Sequence, residues 1–117
     1  MDQLSPTRSF AAGQHIFRDG EKGEEMFFVK CGTVQIVMSG MVAETLSQGE
    51  FFGEMALIDQ QPRSADAIAV TDCELEALTE GQFLVRVQRA PFFALRVMRA
   101  MAPRLRAANQ NLHRAGI

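Results

Sequence analysis

Residues 49–69 decide the fold of this chain, and they read GEFFGEMALIDQQPRSADAIA. Gly53 lets the backbone approach a ligand closely, and the four residues after it can form one helical turn whose N–H groups attract an anion. Nine residues after Glu54, Arg63 carries a planar fork of donors that suits phosphate oxygens. Glu54 can accept hydrogen bonds from sugar hydroxyls, and Ser64 can donate one more. These residue types predict a clamp for a ribose phosphate.

The segments around this stretch have the pattern of short strands separated by turn signals. Residues 33–38 alternate between apolar and polar side chains, the Ser-Gly pair at 39–40 suits a hairpin turn, and residues 42–46 can form the return strand. Residues 73–77 alternate in the same way. We therefore expect an antiparallel β-sandwich or barrel over about residues 9–79.

The pattern changes at Thr79, after which we expect two helices over about residues 80–115. Thr79 and Gln82 fit a capping box, and Pro91 suits the first position of the second, longer helix. Pro103 should bend or split that helix. An apolar stripe with heptad-like spacing runs along it and contains Met98, Met101, Leu105, Ala108 and Leu112.

The composition is that of one small globular domain. The chain has 117 residues, of which 47% are hydrophobic and 22% are charged. Its two cysteines, Cys31 and Cys73, lie in apolar stretches, and we find neither a signal peptide nor an apolar run that could cross a membrane. We therefore expect both cysteines to be reduced core residues in a cytoplasmic protein. His15 and His113 have no metal-ligand spacing, and no catalytic triad is evident, so we expect neither a metal site nor catalysis.

The charge is distributed unevenly along the chain. Residues 1–80 hold all 14 acids against five lysines and arginines, a net charge of −9, whereas residues 81–117 hold seven arginines and no acid, a net charge of +7. A basic tail can bind nucleic acid, an anionic membrane or an acidic partner. We prefer the simpler interpretation that these arginines solvate the helices and balance the acidic part of the same chain.

The stretch 49–69 closely resembles the phosphate-binding cassette of the cyclic nucleotide-binding family. The residues that match the cassette pattern are Gly53, Glu54, Met55, Ala56, Leu57, Arg63, Ser64, Ala65 and Ala69. Upstream, the family's strand-and-glycine framework is matched by Phe17, Gly20, Val29, Gly32 and Val34. The resemblance covers about residues 9–115 and implies a mainly β fold. It would be one domain, an antiparallel β-roll of the jelly-roll type with a short cassette helix and two C-terminal helices.

The resemblance also implies a role for each cassette residue. Glu54 would accept from the ribose 2′-hydroxyl, Arg63 would pair with the cyclic phosphate, and Ser64 would donate to the phosphate or the base. Gly53 would line the sugar, and the turn after Glu54 would offer backbone N–H groups from Ala56 and Leu57. The full set of expected ligand-binding residues is Gly53, Glu54, Met55, Ala56, Leu57, Arg63, Ser64, Ala65, Arg104 and Asn109, the last two as base-side contacts from the final helix.

The function implied by the resemblance is that of a sensor for a cyclic nucleotide, with cAMP preferred over cGMP. We also expect the final helix to act as a mobile lid, because arginines without acids surround its apolar stripe and Pro103 interrupts it. No cofactor besides this ligand is expected. The expected partners are an unknown effector protein and a second copy bound through the final helix, with no DNA-binding domain and no membrane segment in this chain. Two alternatives stay open at this point. One is a degenerate family member that serves only as a protein-interaction module, and the other is a fragment of a larger transcription factor, kinase regulator or channel.

Overall fold

The computed structural model describes residues 6–114, with side chains up to residue 106. Within this span, two four-stranded antiparallel sheets have the strand orders β1-β8-β3-β6 and β2-β7-β4-β5. The strands are β1 Thr7–Phe10, β2 His15–Phe17, β3 Glu25–Cys31, β4 Val34–Met38, β5 Met41–Leu46, β6 Phe51–Phe52, β7 Asp66–Ala69 and β8 Cys73–Thr79. The helices are α1 Met55–Ile58, α2 Glu80–Arg89 and α3 Pro91–Arg114. The predicted mainly β fold with C-terminal helices is confirmed, and the chain forms two compact units that divide after Gln82.

The core of the first unit lies between the apolar faces of the two sheets. Strand β8 shows how the sequence produces it, because Cys73, Leu75 and Ala77 alternate with glutamates and are all buried. The buried cluster is formed by Phe27, Val29, Val34, Leu46, Phe52, Ala67, Ala69, Cys73, Leu75 and Ala77. Both cysteines are free thiols, and Cys73 is buried as expected, but the prediction of a core position is wrong for Cys31, which is exposed at the end of β3.

The turn between β4 and β5 is the predicted two-residue hairpin. Ser39 and Gly40 have φ angles of 52° and 76°, and such left-handed conformations at both positions are what a type I′ turn requires. Beyond it, Met38 and Met41 pair across the hairpin and are exposed.

The helices begin where the sequence predicts. The Thr79 N–H donates to Gln82 Oε1 at 2.9 Å, and the Gln82 N–H donates to Thr79 Oγ1 at 3.3 Å, so the capping box is present. Of the two effects expected at Pro103, a split is wrong, because α3 continues through this residue, and a bend stays a prediction. A proline removes one backbone hydrogen bond, and the turns on either side keep theirs. None of the described helices combines the length and hydropathy that crossing a membrane needs.

Candidate functional site

Arg63 is the centre of the candidate site, and it is buried although it lies in an irregular segment between α1 and β7. Its Nη1 donates to the carbonyl of Gly53 at 3.0 Å, and its Nη2 donates to the carbonyl of Glu25 at 2.7 Å. These two bonds connect the guanidinium to the end of β6 and to the start of β3. The side chain is therefore fixed by main-chain groups from two elements of one sheet.

Two glycines and one aromatic ring shape the space around the guanidinium. The Phe17 ring lies below it, with 4.0 Å between the ring centroid and Arg63 Cζ. A Cβ on Gly23 would lie 2.5 Å from Arg63 Nε, and a Cβ on Gly53 would lie 2.8 Å from Nη1. Gly53 also has a φ of 77°, which disfavours any other residue. The guanidinium fits here because both positions lack a side chain.

One of the three guanidinium nitrogens, Nε, is buried and makes no hydrogen bond among the described residues. Burial lowers the pKa of Arg63 below its ordinary value, and the attraction of Glu25, then of Glu21 and Glu54, opposes this shift. A charged group with an unpaired buried donor gains from an anionic acceptor, because burying such a donor without a partner costs free energy. An anionic acceptor would satisfy this unpaired donor, whereas the three carboxylates nearby would repel an anion.

Glu54 is the other charged residue that is buried in the described part of the chain, with 8% of its surface exposed. It precedes α1 as the N-cap residue, and its side chain makes no capping bond. The N–H groups of Ala56 and Leu57, expected as phosphate donors, already donate to the carbonyls of Gly53 at 3.3 Å and Glu54 at 3.0 Å. An anion at this turn would have to share these donors with the two carbonyls. We therefore expect the side chains of Arg63 and Glu54 to contribute more to ligand binding than the two backbone N–H groups.

The main chain of Arg63 is held by the loop between β2 and β3, residues 18–24, which we call the β2–β3 loop. The Gly20 N–H donates to the carbonyl of Arg63 at 2.8 Å, and the Arg63 N–H donates to the carbonyl of Glu21 at 2.7 Å. The same loop contains Gly23, which packs against the guanidinium. Both the backbone and the side chain of Arg63 thus depend on the position of this loop.

The remaining predicted residues differ in their surroundings. Ser64 and Met55 are exposed, whereas Ala65 is buried beside the site. Arg104 is half-buried in α3, in the second unit, and the side chain of Asn109 lies outside the described residues. The base-side roles of these last two residues stay predictions.

Three neighbours of Arg63 were missed as site residues by the sequence analysis, namely Phe17, Gly23 and Glu25. In the sequence analysis Phe17 is a framework residue only, and Gly23 carries no side chain that could indicate a site. Glu25 contributes its carbonyl, a group that every residue has, so no side-chain signal could have identified it. In the part of the chain that the structure describes, no three His, Cys, Asp or Glu residues form a group that could hold a metal ion.

Comparison with known proteins gives consistent matches. The sequence model of the cyclic nucleotide-binding domain matches residues 7–89. The chain is 36% identical over 110 residues to the cyclic AMP receptor protein of Thermus thermophilus, which covers 90% of this chain and 51% of the relative. It is 41% identical over 71 residues to the cAMP-dependent protein kinase regulatory subunit of Eremothecium gossypii, covering 61% of this chain and 16% of the relative.

A solved structure agrees with these matches. The catabolite activator protein of Thermus thermophilus superimposes with a TM-score of 0.84 and 34% identity, over 96% of this chain and 55% of that one. The chain therefore spans about half, or less, of the length of these relatives.

Proposed function

Because the chain belongs to the cyclic nucleotide-binding domain family, we propose that it binds a cyclic nucleotide, cAMP in preference to cGMP, as the sensing part of a regulatory protein. The observation that carries this proposal is the buried Arg63 guanidinium with its unpaired Nε. A guanidinium offers donors in a planar fork, and the cyclic phosphate is an anion that can accept from it.

Glu54 completes the proposed clamp by recognising the sugar. Its carboxylate is buried close enough to Arg63 to affect the pKa of the guanidinium, so one compact region contains a cation for the phosphate and an acceptor for a ribose hydroxyl. Gly53 lies directly before Glu54, and its missing side chain leaves room for the Arg63 guanidinium beside the clamp. Arg63 and Glu54 thus supply opposite chemical functions to the two parts of one ligand.

The choice of cAMP is supported by the names of the two relatives, a cyclic AMP receptor protein and a regulatory subunit of a cAMP-dependent kinase. Ser64 does not distinguish the bases, since a hydroxyl can both donate and accept. We propose a binding and signalling role without catalysis, in which the effector lies outside the residues that have been described.

One observation favours a second candidate, a module that binds no nucleotide. Two of the donors of Arg63 are already bonded to carbonyls, which is what a purely structural arginine would do. Under this alternative, Arg63 only joins β3 to β6, and replacing it would lower the stability of the fold without any effect on a ligand.

Titration calorimetry with cAMP, cGMP and 5′-AMP separates the two candidates. We expect wild-type protein to bind cAMP most tightly and Arg63→Lys, which keeps the charge but loses the fork, to bind it weakly. Arg63→Ala, which removes one partner of a buried charge pair altogether, should cost about 2–5 kcal/mol, or roughly 30-fold to several-thousand-fold in affinity. The exposed Arg18 provides the control Arg18→Lys. The nucleotide-free module is the correct assignment if wild-type protein gives no heat with any of the three nucleotides.

A further inference from the structure

The carboxylate of Asp66 connects the first residue of β7 to the turn after β2. Its Oδ1 accepts the backbone N–H of Asp19 at 2.7 Å, and its Oδ2 lies 3.8 Å from Nε2 of His15. Asp66 stands three residues after Arg63, in a strand that pairs with both β2 and β4. The side chain therefore fixes the β2–β3 loop at its start, relative to a strand that is held on both sides.

The residues that follow Asp19 are those that hold Arg63. Gly20 and Glu21 exchange two backbone hydrogen bonds with Arg63, at 2.8 and 2.7 Å, and Gly23 packs against its guanidinium. The loop thus has two attachments, to the carboxylate of Asp66 and to the backbone of Arg63. The loop residues that make these attachments, Asp19 for the first and Gly20 and Glu21 for the second, are consecutive in the chain. A shift at Asp19 would therefore also move the loop atoms next to the guanidinium.

We propose that Asp66 is a positioning residue for the anion site, acting on the Arg63 guanidinium through the β2–β3 loop. This inference rests on the proposed function, because the arginine that Asp66 positions is the one assigned to the phosphate. The carboxylate itself does not contact the ligand in this proposal. It holds the loop so that Gly23 stays packed against the guanidinium and keeps it in one orientation before an anion arrives, and such preorganisation increases affinity.

Asp72 offers a closely matched control within the same unit. Its Oδ1 accepts the backbone N–H of Ala12 at 2.9 Å, so it too fixes a turn between two strands through one carboxylate. That turn, however, makes no contact with Arg63 among the bonds that hold the arginine. The two aspartates therefore differ mainly in one respect. The loop that Asp66 holds packs against the guanidinium, and the turn that Asp72 holds does not.

The experiment compares Asp66→Ala, Asp66→Asn and Asp72→Ala with the wild-type protein. Asn keeps an oxygen that can accept the Asp19 N–H, whereas Ala removes it. Asp66→Val repeats the loss with a residue that strands favour, in case the alanine variant does not fold. Each variant is titrated with cAMP by calorimetry well below its melting temperature, and the ¹H–¹⁵N resonance of Arg63 Nε is recorded by NMR without nucleotide.

We expect Asp66→Ala and Asp66→Val to bind cAMP about tenfold more weakly and to shift the Nε resonance. The reason is that the displaced Arg63 guanidinium no longer has the orientation that binding requires. Asp66→Asn and Asp72→Ala should stay within about twofold of wild type, as no positioning contact is lost. Equal weakening by Asp66→Ala and Asp66→Asn, or by Asp66→Ala and Asp72→Ala, would overturn the proposal. So would unchanged affinity in Asp66→Ala.

The two readouts separate this proposal from the proposed function. A shifted Nε resonance in a protein that binds no cAMP means that the positioning role is correct and the ligand assignment is wrong. An unshifted resonance together with normal cAMP binding in Asp66→Ala means that the ligand assignment is correct and the positioning role is wrong.

Discussion

Gly23 controls the orientation of the Arg63 guanidinium, since the space that its side chain would fill is occupied by Nε and Cζ of the arginine. A Cβ at this position would also lie 2.9 Å from Cβ of Ala56, so the loop could not simply move towards α1. We expect Gly23→Ala to reduce cAMP affinity by about tenfold or more, because the guanidinium must leave its place. Calorimetry measures the affinity.

The matched control for this change is Gly81→Ala. Nothing lies within 4 Å of a Cβ at Gly81, which is in α2, so alanine there should leave binding unchanged and add about 0.5–1 kcal/mol of stability. Wild-type affinity in Gly23→Ala would mean that the guanidinium does not need its present position.

Glu54 is predicted to recognise the ribose 2′-hydroxyl. Glu54→Gln should weaken cAMP binding less than Arg63→Lys, and it should have almost no effect on 2′-deoxy-cAMP, because that analogue lacks the partner of the carboxylate. Calorimetry on both proteins with both nucleotides completes a double-change cycle. Additive effects of the variant and the analogue would assign Glu54 another role.

The sequence indicated Arg63 and Glu54 as candidate site residues because their side chains carry the chemistry that a ribose phosphate requires, and their binding roles stay predictions. It was insufficient for their surroundings. The groups that hold Arg63 come from residues up to 46 positions earlier in the chain, at Phe17, and two of the contacts are backbone carbonyls. Such contacts depend on which strands pair. Pairing between strands that are far apart in the sequence produces no pattern in the residues near Arg63 that could predict it.

At the scale of single elements, the β4–β5 hairpin carries a correctable strain. Ser39 has a left-handed φ of 52°, which asparagine tolerates better than serine, and Asn-Gly is the preferred pair for this turn. We expect Ser39→Asn to stabilise the fold by about 0.5 kcal/mol, measured by urea unfolding. Gln48→Asn, at an exposed residue that does not have a left-handed φ, is the control. A lower midpoint for Ser39→Asn than for wild type would contradict this account.

Helix α3 shows why a correct element can be predicted with an incorrect detail. Pro91 and the apolar stripe gave its start and its type, and both agree with the structure. The split expected at Pro103 did not take account of how many bonds a 24-residue helix keeps when it loses one. The preference of a segment for helix is the sum of contributions from many residues. A break at a proline depends on whether the loss of one hydrogen bond outweighs the bonds of the neighbouring turns.

At the scale of the whole molecule, the apolar stripe on α3 predicts self-association. Met98 and Leu105 are 59% and 60% exposed, and they lie seven residues apart on one helix face. We expect wild-type protein to form a dimer in size-exclusion chromatography with light scattering, and Met98→Gln/Leu105→Gln to be monomeric. Arg99→Gln/Arg106→Gln, one position along the helix and thus on another face, is the control. A dimer that survives the first double variant would place the contact elsewhere.

The lid role of α3 also stays a prediction. Hydrogen exchange of residues 103–114 with and without cAMP would test it, since a lid gains protection only when the ligand is bound.

The Phe17 ring lies next to Arg63, and its position is suitable for a fluorescent tryptophan. The chain has nine phenylalanines and no tryptophan or tyrosine, so the wild-type protein is nearly dark in the near ultraviolet and its absorbance gives a poor measure of concentration. A single indole introduced by Phe17→Trp would be the only such chromophore, and it would lie about 4 Å from the guanidinium, as the present ring does. We expect its emission to change when nucleotide reaches Arg63, so that one substitution yields a fluorescent indicator that needs no attached dye.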